Sequence, residues 1–309
     1  MPEKIARVLA KPLAVLTGTS RSLWTKRLRH PLCGWDEAVT REGYIHIFGR
    51  EPDLKNPKTF NEKINWLKLF NRQPIHQIFA DKVAVRDLVR ERGFGEILNE
   101  IYGVWDRPED VPVQDLPTSF ALKAAHGWHM NWIRKPGEPL RIDEIRREMQ
   151  RWIRTDQSLG FGEWQYRNVP RRILAEHFLG ASGHKIMEYK VFCFGGVPKL
   201  MCCSHAELGT DVIHHMYFDL DWRELPIDRK GRHLFTDRPL RPVQFDEMVE
   251  VAAALSAGQP FLRVDLYEIG ERVAFSELTL HPDGGAFPIL PAEYDAKLGD
   301  MIELPARTG

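Results

Sequence analysis

The chain of 309 residues has no excess of either charge, because 43 Lys and Arg balance 43 Asp and Glu. A generic nucleic-acid binder normally carries a basic surplus, so no nucleic-acid partner is expected, although neutrality still permits a local basic patch. Cysteine is scarce, and the four present, Cys33, Cys193, Cys202 and Cys203, form no C-x-x-C pair. That fits reduced thiols in a cytosolic protein rather than a disulfide scaffold. Cys202, Cys203 and His205 have the chemistry of metal ligands, but no second ligand pair at zinc spacing follows, and buried strand residues are the expectation. No apolar run approaches a membrane span, and Pro12 to Leu16 is too short for a signal-peptide core. Internal repeats and low-complexity tracts are also missing. What is present is an ordinary globular composition, 43% hydrophobic with nine Trp, which can bury a core and is unlike that of disordered chains.

The charge is uneven only at the start. Residues 1–35 carry seven basic side chains against the single acid Glu3. Such a segment reads either as a solvated tail, which is favoured, or as a stretch lying on an anionic membrane surface, giving a peripheral membrane contact.

Further along, Thr59-Phe60-Asn61-Glu62 has the form of a capping box opening a helix with Phe60, Ile64, Leu67 and Phe70 on one side. A second helix is expected from Asp81 as its cap to Gly93, with Lys82 in its first turn. A proline-rich connector spans Pro108 to Pro117, a strand Phe120 to Ala124, an amphipathic helix 141–155, and a strand Ile173 to Leu179. From residue 185 the signal is mostly β: 185–194, 199–203, 213–218, 261–267 and 272–280, interrupted by a helix from Asp246 to Ala257. Helices and strands mix without regular βαβ alternation, which predicts α+β lobes rather than a doubly wound sheet.

The strongest chemical constellation lies in Arg263-Val-Asp265-Leu-Tyr267 and Phe275-Ser276-Glu277-Leu278-Thr279. Alternate strand residues share a face, so Arg263, Asp265 and Tyr267 point one way, as do Glu277 and Thr279, with Ser276 and Leu278 opposite. In the right register two carboxylates, a guanidinium and a hydroxyl converge. Such hard oxygens suit Mg²⁺ carrying nucleotide phosphates, and the Arg suits a phosphoryl group or oxyanion. An exposed sheet face with an Arg–Asp pair is the bland alternative. The Gly pair in His281-Pro-Asp-Gly-Gly285 favours a ligand nearby. Lys123, in an otherwise apolar strand before Gly127, must reach water or meet an anion such as a phosphate. Glu188 and Lys190 share a polar strand face, where Glu188 could accept bonds from ribose hydroxyls or simply pair across the sheet.

Taken in order, Asp81-Lys82, Phe120-Ala-Leu-Lys123, Ala175-Glu176-His-Phe-Leu179, Glu188-Tyr-Lys190, Arg263-Val-Asp265 and Glu277-Leu-Thr279 resemble the ATP-grasp fold, and within it the teichuronopeptide-synthesis, TupA-like branch, over roughly residues 45–305. The resemblance implies a nucleotide clamped between two α+β lobes. It implies a basic segment 1–35, a helical region 36–117, a lid lobe 118–180 and a catalytic lobe 181–309. Carried over, Lys82 and Lys123 hold ATP phosphates and the loop around Gly127 closes over them. Glu176 with the backbone at Phe178 and Leu179 takes adenine, and Glu188 takes ribose. Asp265, Glu277 and Thr279 bind Mg²⁺, and Arg263, Lys123 and Lys190 serve catalysis. The chain departs from many relatives in having Thr279 where Asn is common, fewer glycines in the phosphate loop, and extra length between Glu176 and Glu188. The implied reaction joins a carboxylate, on a small molecule or a polymer, to an amine through an acyl phosphate, in cytoplasmic synthesis of a surface polymer. Rivals are a glycosyltransferase using Asp219-Leu-Asp221, a kinase on the same fold, and a binding scaffold.

Overall fold

The structure, a computed structural model, describes residues 34–182, 186–206, 212–229 and 232–307, with isolated positions before residue 34. The basic segment 1–35 therefore lies almost wholly outside the described residues. From residue 34 onward, four helices come first among the described residues: α1 (Trp35–Phe48), α2 (Phe60–Phe70), α3 (Ile75–Ala80) and α4 (Val85–Glu91). Next come strands β1 (Ile101–Trp105), β2 (Phe120–Ala124) and β3 (Asn131–Arg134), helix α5 (Ile142–Arg154) and strand β4 (Ile173–Glu176). The rest is mostly sheet: β5 (Glu188–Phe194), β6 (Val197–Ala206), β7 (Ile213–Asp219), and the short β8 (Glu224–Leu225), β9 (Asp228–Arg229) and β10 (His233–Leu234). Helix α6 (Phe245–Ser256), β11 (Phe261–Ile269), β12 (Arg272–Thr279), β13 (Ile289–Leu290) and α7 (Ala292–Asp300) complete the chain.

These elements build two α+β lobes. The smaller has a four-stranded antiparallel sheet in the order β1-β4-β2-β3. Its first strand comes from the stretch read as a helical region, and the proline-rich connector tucks Val111 and Val113 into this lobe's core. Helix α5 has no side-chain cap, yet it buries Ile145, Met149 and Trp152 against Phe120, Leu122 and Ile173. Each such burial contributes roughly 1.5–3 kcal/mol, more than a missing cap would cost, so packing holds this helix in place.

The larger lobe has a seven-stranded sheet, β10-β7-β6-β5-β11-β12 with β8 beside β7. Period-two alternation decides what each face meets. Val191, Cys193, Val264 and Leu266 enter a core with Met248, Val251 and Leu255 of α6 and Val89 of α4. Phe192, Phe194 and Phe261 enter a second core with Phe60, Ile64 and Leu67 of α2. The adjacent cysteines take opposite sides, Cys203 in the first core and Cys202 in the second. Both are free and buried, and desolvation pushes Cys202 up to about 11, so neither is a reactive thiolate.

Helix α2 starts with the capping box read from the sequence, Glu62 N donating to Thr59 Oγ1 at 3.3 Å and Thr59 N to Glu62 Oε2 at 3.3 Å. The helix expected to start at Asp81 begins later, at Val85. Asp81 instead accepts from Val83 N at 2.9 Å and pairs with Arg172 at 2.6 Å, so it fixes a turn and Lys82 precedes the helix. Helices α1 and α3 fall within the helical region expected over 36–117, although neither was placed individually, whereas α7 and the edge strands β1 and β3 had no counterpart in the sequence reading. No helix among the described residues is long and apolar enough to cross a membrane.

Candidate active site

A cleft of about 2450 Å³ separates the two lobes. Single-ligand pockets are usually 300–1,000 Å³, so there is room for a nucleotide and a second substrate together. Its floor is one face of β5, β11 and β12. This is the same face that α2 covers at Phe192, Phe194 and Phe261; where the sequence turns polar, at Glu188, Lys190 and Arg263, the helix no longer covers it and the cleft begins. Every residue predicted for the site lines the cleft except Asp265.

Asp265 lies beneath the floor, fully buried. Arg263 clamps it in bidentate fashion, Nε to Oδ1 at 2.7 Å and Nη2 to Oδ2 at 2.6 Å, and Lys190 Nζ reaches Oδ2 at 3.3 Å. Burial would raise the Asp265 carboxyl, but the two cations outweigh it and hold the group below its ordinary range. Arg263 and Lys190 are likewise held more firmly protonated, their partners overcoming burial. The hairpin register is what the chemistry needs, with Arg263 opposite Thr279 and Asp265 opposite Glu277. Arg263 Nη2 donates to Thr279 Oγ1 at 3.1 Å and lies 3.6 Å from Glu277, whose other neighbour is the Thr279 hydroxyl at 3.2 Å.

One face assignment changes. A β-bulge between Asp265 and Leu266 leaves Ser276 as the extra residue of β12. Rather than facing Leu278's core, Ser276 turns into the cleft and donates to Glu188 Oε1 at 3.2 Å, while Lys190 holds Glu188 Oε2 at 2.7 Å. Simple alternation has no signal for a bulge.

The roof comes from β2 and β4. Phe120, Leu122 and Ala124 face the small core, so Lys123 faces the cleft, where it pairs with Glu176 from β4. Lys82 comes to the same place from the turn before α4, its amide donating to Ala125 O at 3.1 Å and its ammonium to Gly127 O. Burial depresses the Lys82 pKa, and Lys123 lowers it further while Glu277 across the cleft opposes the shift. Gly127 leaves little room: a Cβ there would displace the side chains of Gln157 and Met130. The neighbouring loop is pinned by Trp128 Nε1 donating to Glu163 at 3.1 Å and by Gln157 donating to Trp128 O at 2.9 Å. At the hinge, no backbone acceptor among the described residues takes the amides of Phe178 or Leu179.

A third wall was not foreseen. Asn61, Asn65 and Lys68 repeat along α2 at helical spacing and hold the loop 284–287: Asn61 Nδ2 donates to Phe287 O at 2.7 Å, Asn65 Nδ2 to Gly285 O at 2.6 Å and Lys68 Nζ to Gly284 O at 2.5 Å. A polar stripe on a helix with apolar neighbours was the available signal.

Tested as a Mg²⁺ site, the residues fit in part. Glu277, with its side chain 41% exposed, and Thr279 offer oxygens at the cleft surface, whereas both oxygens of Asp265 are engaged by Arg263 and face no cavity. No cluster of three or more His, Cys, Asp or Glu among the described residues could cage a metal alone. Mg²⁺ itself usually keeps water and substrate phosphates and takes only one or two protein carboxylates. The rival D-x-D triplet is a surface turn: Asp219 accepts from Arg223 N at 2.8 Å and Asp221 pairs with Arg223 at 2.8 Å, away from the cleft.

Two α+β lobes facing each other over paired lysines and an Arg–Asp–Glu hairpin define the ATP-grasp fold. The TupA-like ATP-grasp family model matches residues 62–303, and the chain belongs to that family. Among solved structures it is similar to the D-alanine–D-alanine ligase of Helicobacter pylori, with 14% identity and a TM-score of 0.39, covering 73% of this chain and 62% of that one. It is also similar to the Bacillus anthracis D-alanine–D-alanine ligase complexed with ATP (14%, TM-score 0.41, 73% and 65% covered) and to the ATP-grasp ligase PsnB complexed with minimal precursor (12%, TM-score 0.38, 67% and 54% covered). The chain thus spans less than two thirds of the length of each of these proteins. No curated protein matches it.

Proposed function

We propose that this chain is an ADP-forming carboxylate–amine ligase acting through an acyl phosphate, in the making of a bacterial cell-surface polymer. The observation that carries the reading is the position of Arg263. It is fixed by Asp265 from below and stands beside Glu277 and Thr279 on the floor, in the same cleft as the half-buried cations Lys82 and Lys123 of the roof.

Lys82 and Lys123 neutralise the nucleotide's phosphates, Lys123 exchanging Glu176 for an oxyanion. The backbone at Phe178 and Leu179 and the Glu176 carboxylate meet adenine, and Glu188 meets ribose. Glu277 and Thr279 hold Mg²⁺, which when bound neutralises charge on the transferred phosphoryl group. A carboxylate oxygen of the substrate attacks the γ-phosphorus and the bond to ADP breaks. The amine nitrogen then attacks the acyl carbon, the phosphate leaves with the bonding pair, and the nitrogen's proton passes to it. Arg263 carries the oxyanion in between, needing no reorganisation because Asp265 already fixes its orientation. The closed cleft keeps water from the acyl phosphate. The surface-polymer setting rests on the family's kinship, and a cytoplasmic site of action follows from the need for ATP.

The test is ADP release from Mg·ATP across a panel of carboxylates, each with and without an amine, with the product analysed by mass spectrometry. Amide formed in step with ADP supports the reading. ADP released without any need for amine, with a phosphorylated product accumulating, would make the protein a kinase; failure to bind ATP would sink both.

A further inference from the structure

The cleft is also lined by two arginines that the reaction above does not use. Arg229, on β9, and Arg232, just after it, both line the cleft. The hydrogen bonds between β9 and β13 place Arg229 opposite Ile289, beside the loop that α2 holds. Arg229 pairs with Asp283, and its guanidinium lies over the Phe287 ring at 4.4 Å. Its side chain is only 17% exposed, yet its Nε has no partner among the described residues. Asp283 sits at φ 48°, in the left-handed region, a backbone cost that suggests the position of its carboxylate matters.

Arg232 differs from every other cation on this wall. Arg263 and Lys190 have Asp265, and Arg229 has Asp283, but no acid among the described residues contacts Arg232. It is partly buried and close enough to Arg229 and Arg263 for the like charges to repel. Burial first, and then that repulsion, brings Arg229 down to about 10. Gathering three guanidiniums on one side of a cavity, one of them unpaired, is unfavourable unless an anion fills the space between them.

We infer that Arg229 and Arg232 form a second oxyanion subsite, so that the acyl substrate carries, besides the carboxylate activated at Arg263, another carboxylate or phosphate. This rests on the ligase reading for the role of Arg263, while the subsite itself is defined by the unpaired Arg232, the buried free Nε of Arg229 and their shared cavity. Planar guanidinium forks bind either group in bidentate fashion. A substrate with one charge would leave Arg232 unmet, so the site selects for a substrate with a second anionic group.

Anion binding can be measured without turnover. Calorimetric titration of the whole chain, saturated with Mg·ADP, would use butyrate, glutarate and 3-phosphoglycerate as probes. Either dianion should bind roughly tenfold or more tighter than butyrate. The tighter of the two identifies the second group as carboxylate or phosphate. In Arg232→Gln that advantage should vanish, with ADP affinity and thermal melting serving as checks on folding. Equal binding of all three, no binding by any, or a dianion preference that survives Arg232→Gln would overturn the subsite. Dianion selectivity in a protein that does not bind ADP would uphold the subsite and sink the ligase reading.

Discussion

The two walls of the cleft solve opposite problems. On the floor strands β5 and β11 the strong charges already have their counter-charges: Asp265 takes Arg263 and Lys190, and Lys190 also holds Glu188, so that Arg232, after β9, is the exception on this side. On the roof, Lys82 is half-buried, its ammonium meets the Gly127 carbonyl and no carboxylate among the described residues, and desolvation depresses its pKa. The floor is therefore preorganised and loses little on its own, whereas the roof becomes fully favourable only when an anion arrives. A wall that is complete before binding orients; a wall that is incomplete before binding recognises.

The largest effect that could break this contrast is Asp265→Asn. Removing one partner of a buried ion pair leaves Arg263 and Lys190 uncompensated, so equilibrium unfolding should show a loss of about 3–5 kcal/mol, with turnover abolished. A loss below about 1 kcal/mol would mean the floor is not held by this pair. The same pair sets an acid limit. Asp265's contribution should be fully present above its ordinary value of 3.8 and be lost as pH falls through its depressed folded value, a trend that Asp265→Asn should flatten in urea titrations at stepped pH.

Next in size is Gly285→Ala. Gly285 has φ 79°, and a Cβ would lie 2.7 Å from Asn65 Oδ1, so the α2–loop clasp should weaken by about 1–3 kcal/mol, read from the denaturation midpoint. The effect should be smaller than that of Asp265→Asn, because the clasp supports the cleft from outside it.

The roof should respond in the opposite sense. Lys82→Met should change stability by less than about 1 kcal/mol, because removing a desolvated charge offsets the lost hydrogen bond. ATP affinity should still drop roughly tenfold or more, measured with a fluorescent nucleotide. The smallest effect is in protons. In the free protein Lys82 titrates below its ordinary 10.5, so apo stability from this group rises as pH climbs through that window. Bound phosphate restores the higher pKa, so binding should take up a proton there and affinity should fall as pH rises. Calorimetry in buffers of different ionisation enthalpy should show the uptake, and Lys82→Met should remove it. Equal proton uptake in both proteins would place the recognising charge elsewhere.

The sequence was legible wherever a local rule sufficed. The Thr59–Glu62 box, the amphipathic α5 and the alternation of Val264 and Leu266 with Arg263 and Asp265 depend on neighbours within one element. It was illegible where a long-range partner decides. Strand β1 looks unremarkable until β4 pairs with it, Asp81 gives up a helix cap for Arg172, and Ser276 changes face because of a bulge. Arg229 and Arg232 carried no motif.

Residue order and periodicity alone determined the inventory: an α+β chain with cations upstream, an Arg–Asp–Glu hairpin downstream, and strand faces already divided between core and cleft. Side-chain direction along a strand is fixed by backbone geometry, so that much needs no third dimension. The tertiary structure decided how those groups share their charge. Whether Asp265 meets a metal or Arg263, and whether Arg232 has an acid beside it, depends on distances between segments far apart in the chain, which only the packed fold sets.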